Sequence, residues 1–314
     1  TVIFFSALMS LLYFVKFMPL LISIFARIFT KLMKISGAEA LCTASNIFVG
    51  VESAFTIRPY IEKMTKSELC TILTAGMVTI ASTVLGLYAS FLFNLFPAIA
   101  GHLISASILS APAAIVMSKL LYPEDAHPET LGEHVKAEYL PAKNWMEAII
   151  NGANEGLKLC FGIVALLIAF LGLLAMVNWG FGKAGLSLQQ ILSFVFQPLV
   201  FLTGVPLQDI HNVSILVGER TIVTELVAYQ HLGTYIQQGL ISPRSAVIAS
   251  YILCGFAHVA SVAIFVGGFS AVAPSRSGDL AKLGFRALWA ATLACLMTGA
   301  VAGVFFTSGT LTIL

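Results

Sequence analysis

Ser45-Asn46-Ile47-Phe48-Val49-Gly50-Val51-Glu52-Ser53 decides how this chain is read. An amide, a glycine, a carboxylate and hydroxyls follow one another inside an apolar region. A charged side chain at membrane depth costs about 2.5–3.5 kcal/mol on insertion scales, so it marks a pathway or a binding site. Basic clusters flank the stretch: Arg27, Lys31 and Lys34 before it, Arg58, Lys63 and Lys66 after it. Basic residues collect on the cytoplasmic side, so a segment that crossed the membrane would strand one cluster outside. A hairpin that enters and returns keeps both inside, and irregular backbone is tolerated at that depth where it is buried or lines a cavity. Residues 38–60 therefore read as a re-entrant helical hairpin with Gly50 near its tip. A plain spanning helix is the alternative.

Composition agrees with a membrane setting. Of 314 residues, 58% are hydrophobic and 10% charged, with mean hydropathy +0.94. A soluble domain is nearer a quarter charged, so the chain reads as an all-α polytopic membrane protein. The net charge of +2 reflects basic loops rather than a nucleic-acid partner. Five cysteines stand singly in apolar surroundings, with no metal or disulfide spacing. No signal-peptide pattern opens the chain. It begins directly in an apolar run, and further spanning helices are expected before it.

Working outward, residues 2–25 are long enough to span, since about 20 apolar residues suffice. Residues 67–93 form the next span, with a hydroxyl-rich middle at Thr79-Ile80-Ala81-Ser82-Thr83 that predicts partial unwinding. Residues 104–121 return inward with a small-residue face. Residues 122–147 are polar and read as a cytoplasmic loop carrying an amphipathic surface helix. Residues 157–178 span without features, and residues 182–190 connect outside. Residues 192–205 are short for a span and suit the interface or a hairpin flank. Residues 213–232 hold Glu219, Arg220, Thr221, Thr224 and Glu225 amid apolar residues, which predicts a second hairpin, entered from outside. Residues 245–269 form a helix interrupted at Phe256-Ala257-His258-Val259-Ala260-Ser261. Residues 274–282 read as cytoplasmic and 285–306 as the last span.

The two anomalies repeat. In each, a basic residue and a serine open an apolar helix, as in Lys66-Ser67 and Arg244-Ser245. A glycine follows (Gly76, Gly255), then Ala-Ser (Ala81-Ser82, Ala260-Ser261), and each unit comes after a glutamate-bearing hairpin. One unit starts inside and the other outside. That is an inverted repeat, the build of many secondary transporters, whose sites lie near the midplane at broken helices. Glu52, residues 79–82, Glu225 and residues 258–261 are expected to converge there.

With these motifs the chain resembles the concentrative nucleoside transporter family along essentially its whole length. The resemblance rests on Ser45 through Gly50 with Glu52, Ile57-Arg58-Pro59-Tyr60, Lys63 through Leu69, Ser107 through Pro112, Gly156-Leu157-Lys158-Leu159, Gly204-Val205-Pro206, Glu225-Leu226-Val227-Ala228-Tyr229 and Leu253-Cys254-Gly255-Phe256-Ala257. It implies a homotrimer in the bilayer of a bacterial inner membrane. An elevator-type transport domain would move on a scaffold: scaffold helices at 1–33 and 148–180, the first repeat at 34–121, the loop at 122–147 and the second repeat at 181–314. It implies a sodium site from Asn46, the Val49 carbonyl, Thr79 and the Ile80 carbonyl, since oxygen donors suit a hard cation. It implies nucleoside contacts from Glu52, Val84, Glu225, Phe256, His258 and Ser261, with Val51, Ser53 and Thr224 beside them. The glutamate and polar pair of the second repeat would face the ribose, the first hairpin the base.

The chain departs from the family pattern at three points. Val51 alone replaces a Gln-Thr pair before the first glutamate, Thr224 replaces Asn before the second, and His258 replaces Asn in the interrupted helix. These leave the nucleobase preference open. Other roles also stay open: Glu52 could pair with Arg58, Glu225 with Arg220, and Asn46 and Thr79 could simply bond the hairpin to its neighbour. Phe256 could be plain packing. Proton coupling through Glu52 or His258 is the alternative to sodium, and another small polar metabolite the alternative substrate. An intramembrane enzyme lacks any credible His-x-x-x-His or Ser/His/Asp grouping, and a passive channel would not need paired hairpins.

Overall fold

The computed structural model describes residues 2–135, 142–183 and 187–307. The chain starts with α1 (Val2–Phe14) and α2 (Phe17–Met33), bent by 79° at the break between them. The single span expected over residues 2–25 is thus two helices. The physical reason is local. Lys16 takes a left-handed conformation (φ 62°), which no α-helix continues through. Pro19 falls in the first turn of α2, where a missing N–H costs nothing. Met18, Ile22, Ala26 and Phe29 form the buried stripe of α2, which lies on α3 (Gly37–Asn46).

The first hairpin runs through α3, a tip, α4 (Ser53–Thr56) and α5 (Arg58–Ile61). Ser36 and Glu39 form a capping box that starts α3. The arms are joined by Ser53 Oγ donating to Asn46 Oδ1 (3.0 Å) and Ser45 Oγ to Thr56 Oγ1 (3.3 Å). A second capping box, Thr65 with Glu68, opens α6 (Lys66–Val78). The helix stops at the hydroxyl-rich residues, where Thr79 is extended (ψ 153°), and resumes as α7 (Ser82–Leu92). α8 (Ile99–Leu121) returns.

Residues 122–135 are turns and bends, so among the described loop residues the expected surface helix does not form. The loop docks on the first hairpin instead: the Gly37 N–H donates to Thr130 O at 2.8 Å. A Cβ at Gly37 would lie 2.1 Å from Glu133 O, so only glycine allows this approach. Residues 136–141 of that loop, and 184–186 of the expected outer connection, lie outside the described residues.

α9 (Trp145–Gly182) is 38 residues long and packs along α1. Gly152 and Gly156 make the approach possible, since added Cβ atoms would sit 2.6 Å from Ser6 O and 2.8 Å from Ile3 Cα. This is the small-xxx-small contact of membrane helices. α10 (Leu188–Leu202) then packs on α11 (Ile210–Ile222), which with α12 (Glu225–Gln237) makes the second hairpin, its tip at Val223-Thr224. α13 (Pro243–Ile252) and α14 (Val259–Val272) are the halves of the second interrupted helix. α15 (Ser277–Val304) starts earlier than expected, absorbing much of the stretch read as a cytoplasmic link. Its approach is fixed by Arg276, whose Nη1 reaches the carbonyls of Glu62 (2.9 Å) and Met64 (2.7 Å).

Two units therefore share one order: a helix lying on a hairpin, the hairpin, a broken helix, a long helix. They are α2 to α8 and α10 to α15. Residues Lys66–Leu92, Ile99–Leu121 and Pro274–Val304 are long and apolar enough to cross a membrane. Phe161, Ile168, Met176 and Trp179 leave an apolar face on α9 open, as lipid or a neighbouring protomer requires. The protein is an all-α polytopic membrane protein.

Candidate functional site

The two broken helices meet. Gly255, in the second break, lies against the end of α6, where a Cβ would be 2.7 Å from Val78 O. The hairpin tips close on the same region. The Ser82 N–H donates to the Phe48 carbonyl at 3.3 Å, which ties the first tip to the first break.

At the second break, His258 caps α14. Its Nδ1 accepts from the Ser261 N–H at 3.2 Å, and Ser261 Oγ donates to the His258 carbonyl at 2.6 Å. An accepting Nδ1 has no proton, so the ring is the neutral tautomer with its hydrogen on Nε2. That nitrogen stands 3.3 Å from Glu225 Oε2. Glu225 is the first residue of α12 and is buried, 2% exposed. Its Oε1 accepts from the Tyr88 hydroxyl, while Oε2 has no hydrogen-bond partner despite the nearby imidazole. A buried carboxylate oxygen without a donor is costly, so Oε2 is an acceptor whose capacity is unused among the described residues. Thr224 Oγ1 beside it is likewise buried and unpartnered.

Next to this cluster is a cleft of about 540 Å³. One wall is the first hairpin tip (Val49, Gly50, Val51, Glu52), α7 (Thr83, Val84) and the second break (Phe256, Ser261). The other is α1 and the start of α9, with Ser6, Tyr13, Asn151 and Glu155. A largely apolar cleft with a few convergent polar groups is the usual form of a small-molecule site. Glu52 is exposed in it, and neither Glu52 nor Arg58 forms an ion pair among the described residues. Glu225 likewise has no ion pair with Arg220 within 4 Å.

The sequence-derived residues thus divide into three places. Val51, Glu52, Val84, Phe256 and Ser261 line the cleft, and Val49 borders it. Thr224, Glu225 and His258 form the buried cluster. Ser53, expected among the substrate contacts, turns instead into the hairpin and bonds Asn46. Asn46 Nδ2 is spent on the Cys42 carbonyl (3.0 Å), and Thr79 Oγ1 donates to Ala75 O (2.9 Å). The Val49 and Ile80 carbonyls lie at non-helical breaks and accept no hydrogen bond among the described residues. These two carbonyls, Asn46 Oδ1 and Thr79 Oγ1 are all oxygen atoms, the donor type that a hard monovalent cation takes.

One residue of the cluster lies outside the sequence reading. Tyr88 is buried, stacked on Tyr229 (centroids 5.0 Å apart, 18°), and bonded to Glu225. Its spacing of four from Val84, on one face of α7, was the available signal. Arg220 is fully buried at the second tip.

The family model described as "Na+ dependent nucleoside transporter C-terminus" matches residues 102–303, more than half of the chain, and one described as "Nucleoside recognition" matches residues 1–95. The chain belongs to the sodium-dependent nucleoside transporter family. As a member, it is 41% identical to solute carrier family 28 member 3 of Rattus norvegicus, over 96% of this chain and 45% of that protein. The chain thus spans less than half the length of that relative. It is 39% identical to the uncharacterized transporter YutK of Bacillus subtilis, over 97% of this chain and 76% of that one. Among solved structures, this transporter-family chain matches CNTnw in an inward-facing substrate-bound state with TM-score 0.89 and 35% identity, covering 97% and 74% of the two chains. A CNTnw variant in an outward-facing state gives 0.86 and 34%, covering 97% and 73%.

Proposed function

We propose that this chain is the core of a cation-coupled secondary transporter that imports nucleosides by alternating access, and not an enzyme. The observation carrying this reading is Glu225. It is buried at the tip of a re-entrant hairpin, held through one oxygen by Tyr88, with the other oxygen open beside His258. A sugar bearing vicinal hydroxyls would donate to that oxygen, and His258 and Ser261 would hold the remaining sugar groups. The base would lie in the cleft between Phe256, Val84, Val51 and Glu52. Sodium would be held by Asn46, the Val49 and Ile80 carbonyls and Thr79, supplying the driving gradient.

In this reading the two repeats, inverted with respect to each other, form a transport domain that moves as an elevator. α2 goes with the hairpin it lies on, so the scaffold is α1 with α9 rather than all of residues 1–33. The open apolar face of α9 suits a homotrimer in a bacterial inner membrane. Proton coupling is the second reading, favoured by Glu52, a carboxylate exposed in the cleft with no cationic partner. Uptake that follows a pH gradient and ignores sodium decides for it. The substrate role is tested by Glu225→Gln in membrane vesicles. Uptake of a nucleoside panel is expected to vanish while the protein stays folded and assembled; retained uptake removes Glu225 from the site.

A further inference from the structure

The basic cluster ahead of the first hairpin has no part in the transport reading. It sits on α2 and at its two ends: Lys16, Arg27, Lys31 and Lys34, all exposed. Lys31 is four residues after Arg27, and Lys34, at the C-cap, three further on, so these charges share one face. Beside them Leu20, Ile24, Ile28 and Leu32 recur every fourth residue and are also exposed, Leu20 at 59% and Leu32 at 75%. The opposite face, with Met18, Ile22, Ala26 and Phe29, is spent on α3. α2 thus has one face against protein, one apolar and open, and one basic and open. Its direction agrees with that division. α1 packs along the 38-residue α9, and α2 turns 79° away from α1, so α2 runs across the spanning direction. A basic amphipathic helix in that orientation lies in the membrane interface, its apolar side chains at the acyl boundary and its Lys and Arg stems snorkelling to the headgroups.

These charges have nothing to answer them within the protein. No acidic residue lies between Thr1 and Glu39, and Glu39 is buried with Lys119 Nζ at 2.6 Å. Other basic residues on the cytoplasmic side are matched: Lys63 with Glu129 (3.1 Å), Lys66 with Asp279 (4.0 Å) and Arg276 with Asp279 (3.2 Å). Lys16, Arg27, Lys31 and Lys34 form no ion pair and no side-chain hydrogen bond among the described residues. We propose that α2 is a binding surface for anionic phospholipids of the inner leaflet. Arg27, Lys31 and Lys34 take the headgroup phosphates, and Leu20, Ile24, Ile28 and Leu32 rest on the acyl chains. The inner leaflet carries the negative surface charge that such a basic strip complements. Because α2 lies on α3, bound lipid touches the first hairpin through this packing. The binding requires no particular solute or coupling ion, so it stands apart from the transport reading.

Purified protein in a neutral detergent is titrated with short-chain phosphatidylglycerol, phosphatidylcholine or inorganic phosphate, and the melting temperature is followed. Phosphatidylglycerol is expected to stabilise wild type saturably, with no comparable rise from the other two. Each basic residue near an anionic surface contributes roughly a factor of five, so Arg27→Gln/Lys31→Gln/Lys34→Gln should need about a hundredfold more phosphatidylglycerol for the same rise. A control, Lys63→Gln/Lys66→Gln/Lys282→Gln, removes as much charge from the same side and should keep the wild-type titration. An α2 triple variant that responds like wild type overturns the proposal, as does an equal loss in the control. A rise that phosphatidylcholine reproduces reduces the face to apolar packing, and one that inorganic phosphate reproduces makes it a small-anion site; either overturns the proposal. A wild type indifferent to phosphatidylglycerol does so too. If the α2 triple variant does not fold, salt decides on wild type: the screening length shrinks from about 10 Å at about 0.1 M to about 3 Å at about 1 M. The phosphatidylglycerol response should collapse over that range, and a response unchanged by salt overturns the proposal.

Discussion

Tyr88→Phe is the sharpest probe of the buried cluster. The substitution keeps the ring, and with it the stacking on Tyr229 and the packing of a side chain only 1% exposed. It deletes one group, the hydroxyl that donates to Glu225 Oε1. Tyr88 is the one other side chain hydrogen-bonded to this carboxylate among the described residues, because Oε2 has no partner. A hydrogen bond to a charged acceptor is worth about 1.5–3 kcal/mol. At about 1.4 kcal/mol per factor of ten, substrate affinity should fall roughly tenfold to a hundredfold if Glu225 presents Oε2 to the ligand. Calorimetric titration of purified protein with nucleosides measures this, with thermal denaturation run in parallel. Should Y88F lower the melting temperature yet bind every nucleoside as tightly as wild type, Glu225 is a structural carboxylate and the argument fails.

Two further perturbations address the frame around the site. Gly152→Leu puts side-chain atoms where a Cβ is already 2.6 Å from the Ser6 carbonyl. Overpacking against backbone costs about 1–3 kcal/mol, so a clearly lower melting temperature is expected, and an unchanged one would mean that α1 and α9 do not pack as described. Asp209, in the turn before α11, accepts from Ser242 N (2.9 Å), Ser242 Oγ (2.6 Å) and Ser245 Oγ (2.6 Å). Burial works to raise its pKa, but these bonds outweigh it and hold the carboxyl below the ordinary aspartate value. Stability from a depressed pKa is complete above the unfolded value, about 3.9, and is lost as pH falls through the folded one. Asp209→Asn should therefore melt earlier than wild type at neutral pH, with the gap closing below about pH 4; a gap independent of pH would remove the charge from the explanation.

Much of the frame was legible in the sequence because membrane insertion punishes polar residues so heavily. Glu52 and Glu225 in apolar runs favour hairpins over plain spanning helices, and the hydroxyls of Thr79 through Thr83 point to a partly unwound helix. The misread segments have a common cause: hydropathy reports burial or lipid contact, not chain direction. Residues 2–25 are apolar throughout, and nothing in that pattern announces the left-handed Lys16 that turns α2 aside. The polar start of α15 looked like a loop because its charges are exposed or tied to the first hairpin through Arg276, contacts visible only in three dimensions. Within the site, Ser53 was assigned by its neighbour Glu52, yet adjacent residues at the start of a helix point in different directions, and Ser53 faces Asn46. The spacing of four puts Tyr88 on the face of Val84, but its partner Glu225 lies in the other repeat, 137 residues away, so local spacing does not reveal the bond.

The central claim is that the paired hairpins use a cation gradient to concentrate a nucleoside. Uptake of a labelled nucleoside into proteoliposomes with an inward sodium gradient tests it most directly. Internal substrate is expected to rise above the external concentration and to fall back when the gradient is collapsed. Equilibration to the external concentration, with or without sodium and with or without a pH gradient, would contradict it.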